Sequence, residues 1–396
     1  MKIACVVLGT RGDVQPMIAL ATGLMAKGHE VTICAPSENE ELAHKYNCRF
    51  VPFGPEIKKS IKENPEKQKG GVAVKISPSQ GKKFILDQIN LLPGIIQGVD
   101  LILGAGIVVG VHTAAEILNV PYRLVAYYPI LLGTTKDDPL KNRMMFGFGR
   151  KIMNLMMKGY MNKARAKYGL PPIKDIWEQW MGTNVIIACD KELNPAREGV
   201  SFAFTQTGFM LLPSKIELPD KVKDFLSSGK PPVYIGFGSN PITKPEKYAA
   251  MFEKVRDMTG QRLIISKGWA DLPVSDARDI IFADEIPFDL LFPKLAAVVY
   301  HGGTGTMAAL ARAGIPQAAF PFMGDQFDNR RQIVKLGLGP DTCDFKEISA
   351  GAISSAITEC ISNETYRKNA EDLAQKLRNS DGVALTVQYI ETIMNR

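Results

Sequence analysis

The sequence lacks long apolar runs and paired cysteines. No stretch among its 396 residues holds eighteen or more consecutive apolar residues, so no transmembrane helix is predicted. The opening run, MKIACVVLGT, is short and leads into a charged loop, which does not predict a signal peptide. The cysteines are scattered, which indicates free thiols in a reducing compartment and argues against zinc. They are Cys5, Cys34, Cys48, Cys189, Cys343 and Cys360. These absences favour a cytoplasmic protein.

Motifs for several ligand classes are also missing. Gly9–Asp13 is not G-x-G-x-x-G, and the glycines Gly104 and Gly106 are followed by a third glycine one position too late. A dinucleotide is therefore not predicted. No Asp-x-Asp pair indicates a metal site, since Asp137-Asp138 precedes a proline and is typical of a turn. No recognition motif for nucleic acid accompanies the net charge of +7.

The pattern that is present indicates an α/β fold of two domains. Ile3–Leu8 and Glu30–Ala35 resemble buried strands that flank an amphipathic helix, Val14–Lys27, and this order predicts a doubly wound parallel sheet. The length suggests two domains. A Leu-Pro-Ser run precedes a new strand, Val233–Phe237, so we place the boundary near residue 215, between residues 1–214 and 215–380.

The strongest functional pattern runs from Leu295 to Arg331. A short apolar strand is followed by a glycine-rich turn, which leads into a helix expected over Met307–Ala313. Unpaired N–H groups and the positive end of the helix dipole meet at such a turn and favour an anion, most often phosphate. A turn that is merely tight fits the pattern equally well. The candidate ligands are His301, Gly303, Thr304, Gly305 and Thr306.

Other strand ends add candidates to this site. After the next strand, Asp325 and Gln326 carry a carboxylate and an amide, both suited to sugar hydroxyls, so the combination suggests a nucleotide-sugar site. Ser239 offers a hydroxyl to a phosphate or is a plain turn residue. Lys267 and Trp269 end a further strand at the same edge.

Several motifs in order carry a family resemblance. H-G-G-x-G-T, A-G-I-P-Q, P-F-x-G-D-Q, a basic pair and L-G-x-G-P resemble the donor-binding signature of family 1 glycosyltransferases, in the branch of sterol glucosyltransferases and glycopeptide-antibiotic glycosyltransferases. The resemblance implies the GT-B fold, two facing Rossmann-like domains with an interdomain cleft and a last helix, residues 381–396, that crosses back. It implies an inverting enzyme that uses a nucleotide sugar, UDP-glucose, as co-substrate without a cofactor. In that family the backbone at the position of Ile286 reads the uracil base.

Asp13 has two interpretations. Its position favours the N-cap of the first helix. The run G-T-R-G-D-V-Q-P, which includes Gly12, resembles the opening motif of the sterol-type enzymes, where this Asp stands in place of a catalytic His. We therefore predict Asp13 as the general base and Gly12 as a donor-site residue. The helix N-terminus should keep the carboxylate ionised and weakly basic.

The stretch from Met144 to Lys167 is rich in methionine and basic residues. Eight Lys or Arg and no acidic residue lie between Lys141 and Lys167, and Lys151, Lys158 and Arg165 share one helix face. A core helix with a solvated basic face is the plain interpretation. A sharper one is an apolar acceptor pocket. Its candidate residues are Tyr127, Tyr128, Met145 and Phe148. A third is peripheral contact with the inner membrane surface.

Two other functions stay open from the sequence. A nucleotide-sugar epimerase of the same architecture would need no acceptor pocket. A non-catalytic nucleotide-sugar-binding helper would need neither Asp13 nor the Gly-Asp-Gln loop that ends at Gln326. The predicted partners are a nucleotide sugar and a small apolar acceptor, and no oligomeric state is predicted.

Overall fold

A computed structural model describes residues 1–56, 77–238, 245–268, 279–284 and 286–394. The first half forms a seven-stranded sheet in the order β3-β2-β1-β4-β5-β6-β7, in which every pairing is parallel. Its strands are β1 (Lys2–Leu8), β2 (Glu30–Ala35), β3 (Arg49–Pro52), β4 (Leu101–Gly106), β5 (Tyr122–Ala126), β6 (Val185–Ile187) and β7 (Phe204–Gln206). Its helices are α1 (Arg11–Ala26), α2 (Glu40–Lys45), α3 (Pro78–Asn90), α4 (Leu92–Ile95), α5 (Val111–Leu118), α6 (Leu140–Ala166) and α7 (Ile176–Met181).

The second half forms a separate five-stranded parallel sheet in the order β10-β9-β8-β11-β12. Its strands are β8 (Val233–Gly236), β9 (Leu263–Ser266), β10 (Ile280–Ala283), β11 (Ala297–Tyr300) and β12 (Gln317–Ala319). The helices that follow the first sheet are α8 (Asp220–Ser227), α9 (Pro245–Thr259), α10 (Phe288–Leu291), α11 (Thr304–Ala313), α12 (Gln326–Lys335), α13 (Ala350–Ser362), α14 (Glu364–Leu377) and α15 (Gly382–Met394).

The strands are short apolar runs because helices cover both faces of each sheet. β1, β4, β8 and β11 lie at the sheet centres and are buried almost throughout. Burial on both faces leaves no polar alternation in a strand, as parallel sheets require. The prediction of two Rossmann-like α/β units is confirmed.

Each sheet has one point where the strand order reverses. In the first sheet it lies between β1 and β4, and in the second between β8 and β11. Ligands bind at such points in open α/β sheets, beyond the carboxyl ends of the strands. Asp13 follows β1, and His301 follows β11, so both predicted sites begin at a reversal point.

The two halves contact each other through the segment between them and through α15. The hydroxyl of Thr386 in α15 donates to that of Thr207 (2.8 Å), just after β7. A Cβ on Gly23 of α1 would collide with Val383 of α15, so a glycine allows this close packing. The boundaries at residues 214 and 380 remain a proposal, which these contacts support.

Several sequence expectations differ from the structure in detail. The strands β3 and β7 were not predicted, because both are short and carry little apolar pattern. The helix α11 begins at Thr304, three residues before the predicted start, because Thr and Gly have weak helix propensity and gave no helical pattern. Ser239 and Trp269 lie outside the described residues.

Candidate functional site

Asp13 is the third residue of α1 and not its N-cap. The helix begins at Arg11 with Thr10 as N-cap, and the Asp13 Oδ2 accepts hydrogen bonds from Thr10 N (2.8 Å) and Thr10 Oγ1 (3.3 Å). In this capping box the side chain of the third helical residue bonds back to the N-cap backbone. The sequence did not show which of Thr10 and Asp13 is the N-cap, because both residue types can cap a helix. A Cβ on Gly9 would collide with the carboxylate, so glycine at that position lets the carboxylate fold back over the turn.

Burial, rather than the helix terminus, dominates the acidity of Asp13. Its pKa is raised to about 6, mainly by desolvation; the negative charge of Asp325 adds to the rise, and hydrogen bonds from Thr10 offset part of it. The expectation that the helix N-terminus makes this carboxylate a weak base is therefore wrong, because the cost of desolvating the charge exceeds the effect of the helix dipole. A carboxylate with this pKa is ionised at neutral pH and is a stronger proton acceptor than an ordinary Asp.

Tyr127 holds the backbone of Asp13 through a hydrogen bond. Tyr127 is buried, and its hydroxyl donates to the Asp13 carbonyl oxygen (2.6 Å). Its ring lies 6.2 Å from that of Phe209, which in turn lies against Gly305 at the start of α11. Tyr127 was predicted to line an acceptor pocket, but its hydroxyl is committed to the backbone of α1. Phe209 was not predicted at all, since no sequence motif marks a ring that bridges two domains.

The N-terminus of α11 presents free backbone donors. The first intrahelical bond runs from Met307 N to Gly303 O (3.0 Å), so the N–H groups of Thr304, Gly305 and Thr306 have no helical acceptor. Because the helix begins at Thr304, three successive amides point out of its positive end. This arrangement can bind a phosphate group.

His301 lies beside that terminus as a neutral imidazole. Its ring is packed between Gly238 and Gly303, where a Cβ on either glycine would collide with it. The pKa of His301 is lowered to about 4 because burial outweighs a hydrogen bond with the Gly236 backbone, which raises it. Its Nδ1 is buried and has no hydrogen-bond partner in the part of the chain that the structure describes. At neutral pH His301 can therefore contribute a hydrogen bond but no positive charge.

Asp325 is held by a buried network. Its Oδ2 accepts from Thr304 Oγ1 (2.8 Å) and Asn329 Nδ2 (3.3 Å), and Asn329 Nδ2 also contacts Gly302 O (2.8 Å) and Thr304 Oγ1 (2.9 Å). Burial raises the pKa of Asp325, while the Thr304 and Asn329 hydrogen bonds lower it. The Thr304 hydroxyl is thus used within the protein, whereas the Thr306 hydroxyl has no hydrogen-bond partner among the described residues and is available to a ligand. Asn329 was missed, because a lone Asn on a helix carries no signal.

Gln326 has a structural role that the sequence did not indicate. Its Oε1 accepts hydrogen bonds from the backbone N–H groups of Phe322 (2.8 Å) and Met323 (3.1 Å), and the residue is buried. The amide therefore shapes the loop before α12, and only its Nε2 group is left for a ligand.

The other predicted donor-site residues lie at the same edges. Lys267 follows β9 and pairs with Asp284 after β10 (3.1 Å). Ile286, beyond β10, is partly buried against the core. Gly12 is exposed in the first turn of α1, and among the described residues a Cβ there would meet Thr10 Oγ1 alone, at 3.6 Å.

The two predicted carboxylates interact electrostatically. The negative charge of Asp325 raises the pKa of Asp13. The pKa of Tyr128 is raised mainly by burial and also by the charges of Asp325 and Asp13. Residues from both domains thus share one electrostatic environment. Tyr128 is partly exposed there, unlike Tyr127.

Exposed apolar side chains lie beyond the carboxyl ends of two strands of the first sheet. Ile107 follows β4 and Ile130 follows β5, and both are exposed although they are large and apolar. Met145 and Phe148, predicted as acceptor residues, are also exposed, on the outer face of α6. Sequence patterns missed Ile107 and Ile130 because single apolar residues in loops are common.

Two absences hold for the described ranges. They contain no group of three or more His, Cys, Asp or Glu side chains placed to bind a metal ion. No helix in them combines the length and the apolarity that crossing a membrane demands.

Family models match both halves of the chain. The glycosyltransferase family 28 N-terminal domain matches residues 3–87, and the erythromycin biosynthesis protein CIII-like C-terminal domain matches residues 269–384. The glycosyltransferase GtfE of Amycolatopsis orientalis is 30% identical over 98% of this chain and 97% of its own length. A sterol 3-beta-glucosyltransferase of Arabidopsis thaliana is 29% identical over 98% of this chain and 65% of its own length. These matches do not support the epimerase alternative.

Solved structures show the same fold. The spinosyn forosaminyltransferase SpnP superimposes with a TM-score of 0.75 at 16% identity, and the match covers 100% of both chains. The glycosyltransferase VinC in complex with dTDP superimposes with a TM-score of 0.66 at 17% identity, again over 100% of both chains. The predicted GT-B architecture is confirmed. The chain belongs to the GT-B glycosyltransferases, in the family that includes glycopeptide-antibiotic glycosyltransferases and sterol glucosyltransferases.

Proposed function

We propose that this glycosyltransferase moves a hexose, with inversion, from a nucleotide sugar to a hydroxyl of an apolar or amphipathic acceptor. The observation that carries the proposal is a partly buried carboxylate, Asp13, whose pKa is raised by desolvation and by the charge of Asp325, which itself accepts a hydrogen bond from Thr304 at the N-terminus of α11. One side of the cleft offers a base and the other offers donors for a leaving diphosphate. A binding helper would gain nothing from a carboxylate with a raised pKa at this position.

The reaction follows from these positions. The acceptor oxygen attacks the anomeric carbon as the bond from that carbon to the diphosphate breaks, and the acceptor proton passes to the Asp13 carboxylate. The electron pair leaves with the diphosphate. The amides of Thr304, Gly305 and Thr306 hold that charge, and such fixed donors stabilise developing charge without reorganisation.

UDP-glucose is the proposed donor, and a hydroxyl-bearing aglycone or sterol is the proposed acceptor. Two relatives support this choice: the vancomycin aglycone glucosyltransferase of Amycolatopsis orientalis, 28% identical, and the plant sterol enzyme. A dTDP sugar is the second candidate, because a dTDP-epi-vancosaminyltransferase of the same organism is 28% identical over 86% of this chain.

A panel of donors and acceptors tests the proposal. UDP-glucose and dTDP-glucose are each incubated with sterols and with polycyclic aglycones, nucleotide release is followed, and the product anomer is assigned by NMR. We expect UDP release that depends on the acceptor, with a β-glucoside from the α-linked donor. An α-glucoside would overturn inversion. Donor epimerised without acceptor would restore the epimerase, and binding without any turnover would favour the helper.

Gln326 provides a prediction about the donor sugar. Gln326→Ala should weaken UDP-glucose binding by roughly 5- to 15-fold, the worth of one hydrogen bond, and leave UDP affinity nearly unchanged. Gln326→Glu separates the two roles of the side chain, because it keeps an acceptor oxygen for the Phe322 and Met323 amides and loses the Nε2 donor. Calorimetric titration with UDP and UDP-glucose measures both.

Two outcomes would contradict the assignment of Gln326 to the donor sugar. If Gln326→Glu binds UDP-glucose as wild type does, Gln326 only shapes the loop. If UDP itself binds as poorly as UDP-glucose in Gln326→Ala, the assignment to the sugar is wrong.

A further inference from the structure

The helix α6 carries an unpartnered apolar face. It spans 27 residues, about 40 Å. Phe146, Met153, Met157, Tyr160 and Met161 pack inward. The outward stripe repeats about every four residues, and its side chains are between 40% and 86% exposed. It consists of Leu140, Met144, Met145, Phe148, Ile152, Leu155 and Met156. A stripe of this extent is larger than the scattered apolar residues normal on a surface.

The charges on α6 are all positive, but the structure divides them into two groups. Arg165 is buried and pairs with Glu116 (Nη2–Oε1 3.0 Å), so it does not belong to the solvated basic face predicted for it. Arg150 pairs with Asp175 and Glu178, each at 2.9 Å. The internal pairs therefore neutralise two of the helix's arginines.

The lysines of α6 remain uncompensated. Within the described residues, Lys141, Lys151, Lys158 and Lys163 form no salt bridge. On a helical projection these lysines lie on or beside the apolar stripe. The outer face is thus an apolar band with positive charges and no acidic residue of the same helix.

We propose that the outer face of α6 docks on an anionic lipid surface. An apolar face bordered by lysines enters the boundary between headgroups and acyl chains, where lysine stems extend toward lipid phosphates. Charge complementarity selects this occupant over a second copy of the chain, because pairing two α6 faces would bring eight lysines of one sign together. The inference does not depend on the identity of the donor.

The position of α6 gives this docking a consequence for the cleft. Phe146 packs against Gly133, where a Cβ would lie 2.7 Å from the ring, and Gly133 follows the loop that contains Tyr128. The inner side of α6 therefore lies next to the carboxyl edge of the first sheet. Docking through the opposite face of α6 would place that edge about one helix diameter from the bilayer in which an apolar acceptor dissolves.

Cosedimentation with vesicles tests the docking. Phosphatidylcholine vesicles with about 30% phosphatidylglycerol are compared with pure phosphatidylcholine at about 0.05 M and about 0.5 M salt. We expect wild type to prefer the anionic vesicles and to lose that preference at high salt. Lys151→Gln/Lys158→Gln should bind anionic vesicles roughly fivefold less for each lysine replaced. Leu155→Ser/Met156→Ser should reduce binding to the anionic vesicles by roughly tenfold or more.

Matched variants and a second measurement keep the outcomes distinct. Lys247→Gln/Lys254→Gln on α9 and Ile216→Ser/Leu385→Ser replace exposed residues elsewhere and should bind as wild type does. Three results would overturn the proposal. They are equal, salt-independent binding to both vesicle types, no binding to either type, and equal losses of binding in the matched variants. A dimer in analytical ultracentrifugation that Leu155→Ser/Met156→Ser dissociates would assign the face to a second copy and overturn it too.

Discussion

Asp13→Asn is expected to lower the transfer rate by roughly 10²-fold or more, with donor affinity retained. Asparagine keeps the shape of the side chain and an oxygen that can accept the Thr10 N–H, but it cannot take a proton. The measurements are single-turnover transfer and binding of UDP by calorimetry. In the wild type, kcat/KM should rise with pH through about 6 and level off above, because Asp13 with its raised pKa must be ionised to act.

The same variant should show a pH-dependent gain in stability. Because the folded pKa of Asp13, about 6, lies above its ordinary value, the folded state binds the proton more tightly, and the wild type loses stability as pH rises between these values. Asp13→Asn avoids burying that charge, so its melting temperature should exceed that of wild type at pH 8 by more than at pH 4. Asp100→Asn, which replaces an exposed carboxylate that accepts from Lys2 N, is the control.

Two results would contradict these expectations. A variant that melts early yet transfers at the normal rate per folded molecule would show that Asp13 only closes the capping box. The general base would then be Asp325 or another group. A wild-type pH profile that is flat between pH 5 and 7 would remove the link between the Asp13 pKa and catalysis.

Arg312→Met is expected to destabilise the protein by about 3–5 kcal/mol. The fully buried Asp190 of the first domain accepts two hydrogen bonds from Arg312 in the last turn of α11, at 2.8 and 2.9 Å. Among the described residues, removing the guanidinium leaves this buried carboxylate with hydrogen bonds from Phe209 N (3.2 Å) and Ser380 Oγ (3.4 Å) alone. Urea unfolding followed by fluorescence and circular dichroism measures the loss.

The controls separate a buried pair from an exposed one. Arg331→Met breaks an exposed pair with Asp328 and should cost at most about 1 kcal/mol. Asp190→Leu/Arg312→Met should be less destabilised than Arg312→Met alone, because it leaves no buried charge without its partner. If Arg312→Met costs no more than Arg331→Met, the Asp190 pair does not hold the domains together.

Local patterns predicted much of the fold and the donor turn. The apolar runs around Ile3–Leu8 and Val233–Phe237 predicted buried parallel strands, because short continuous apolar runs are typical of strands that are covered on both faces. The glycines around His301 predicted a strand-to-helix turn with free amides, and the motif order indicated the family. These inferences need only residues that are neighbours in the chain.

Burial and partners depended on contacts between distant parts of the chain. Tyr127 donates to the Asp13 carbonyl across 114 residues of sequence, and Asp190 meets Arg312 across 122. No local pattern distinguishes Arg165, which is buried, from Lys151, which is exposed, although they were predicted to share one face. The pKa of Asp13 likewise follows from the atoms that desolvate it and from Asp325 in the other domain. The residue types and their order therefore determined the elements and the candidate ligands, while the packing of two domains set which charges are buried, because desolvation depends on everything that surrounds a group.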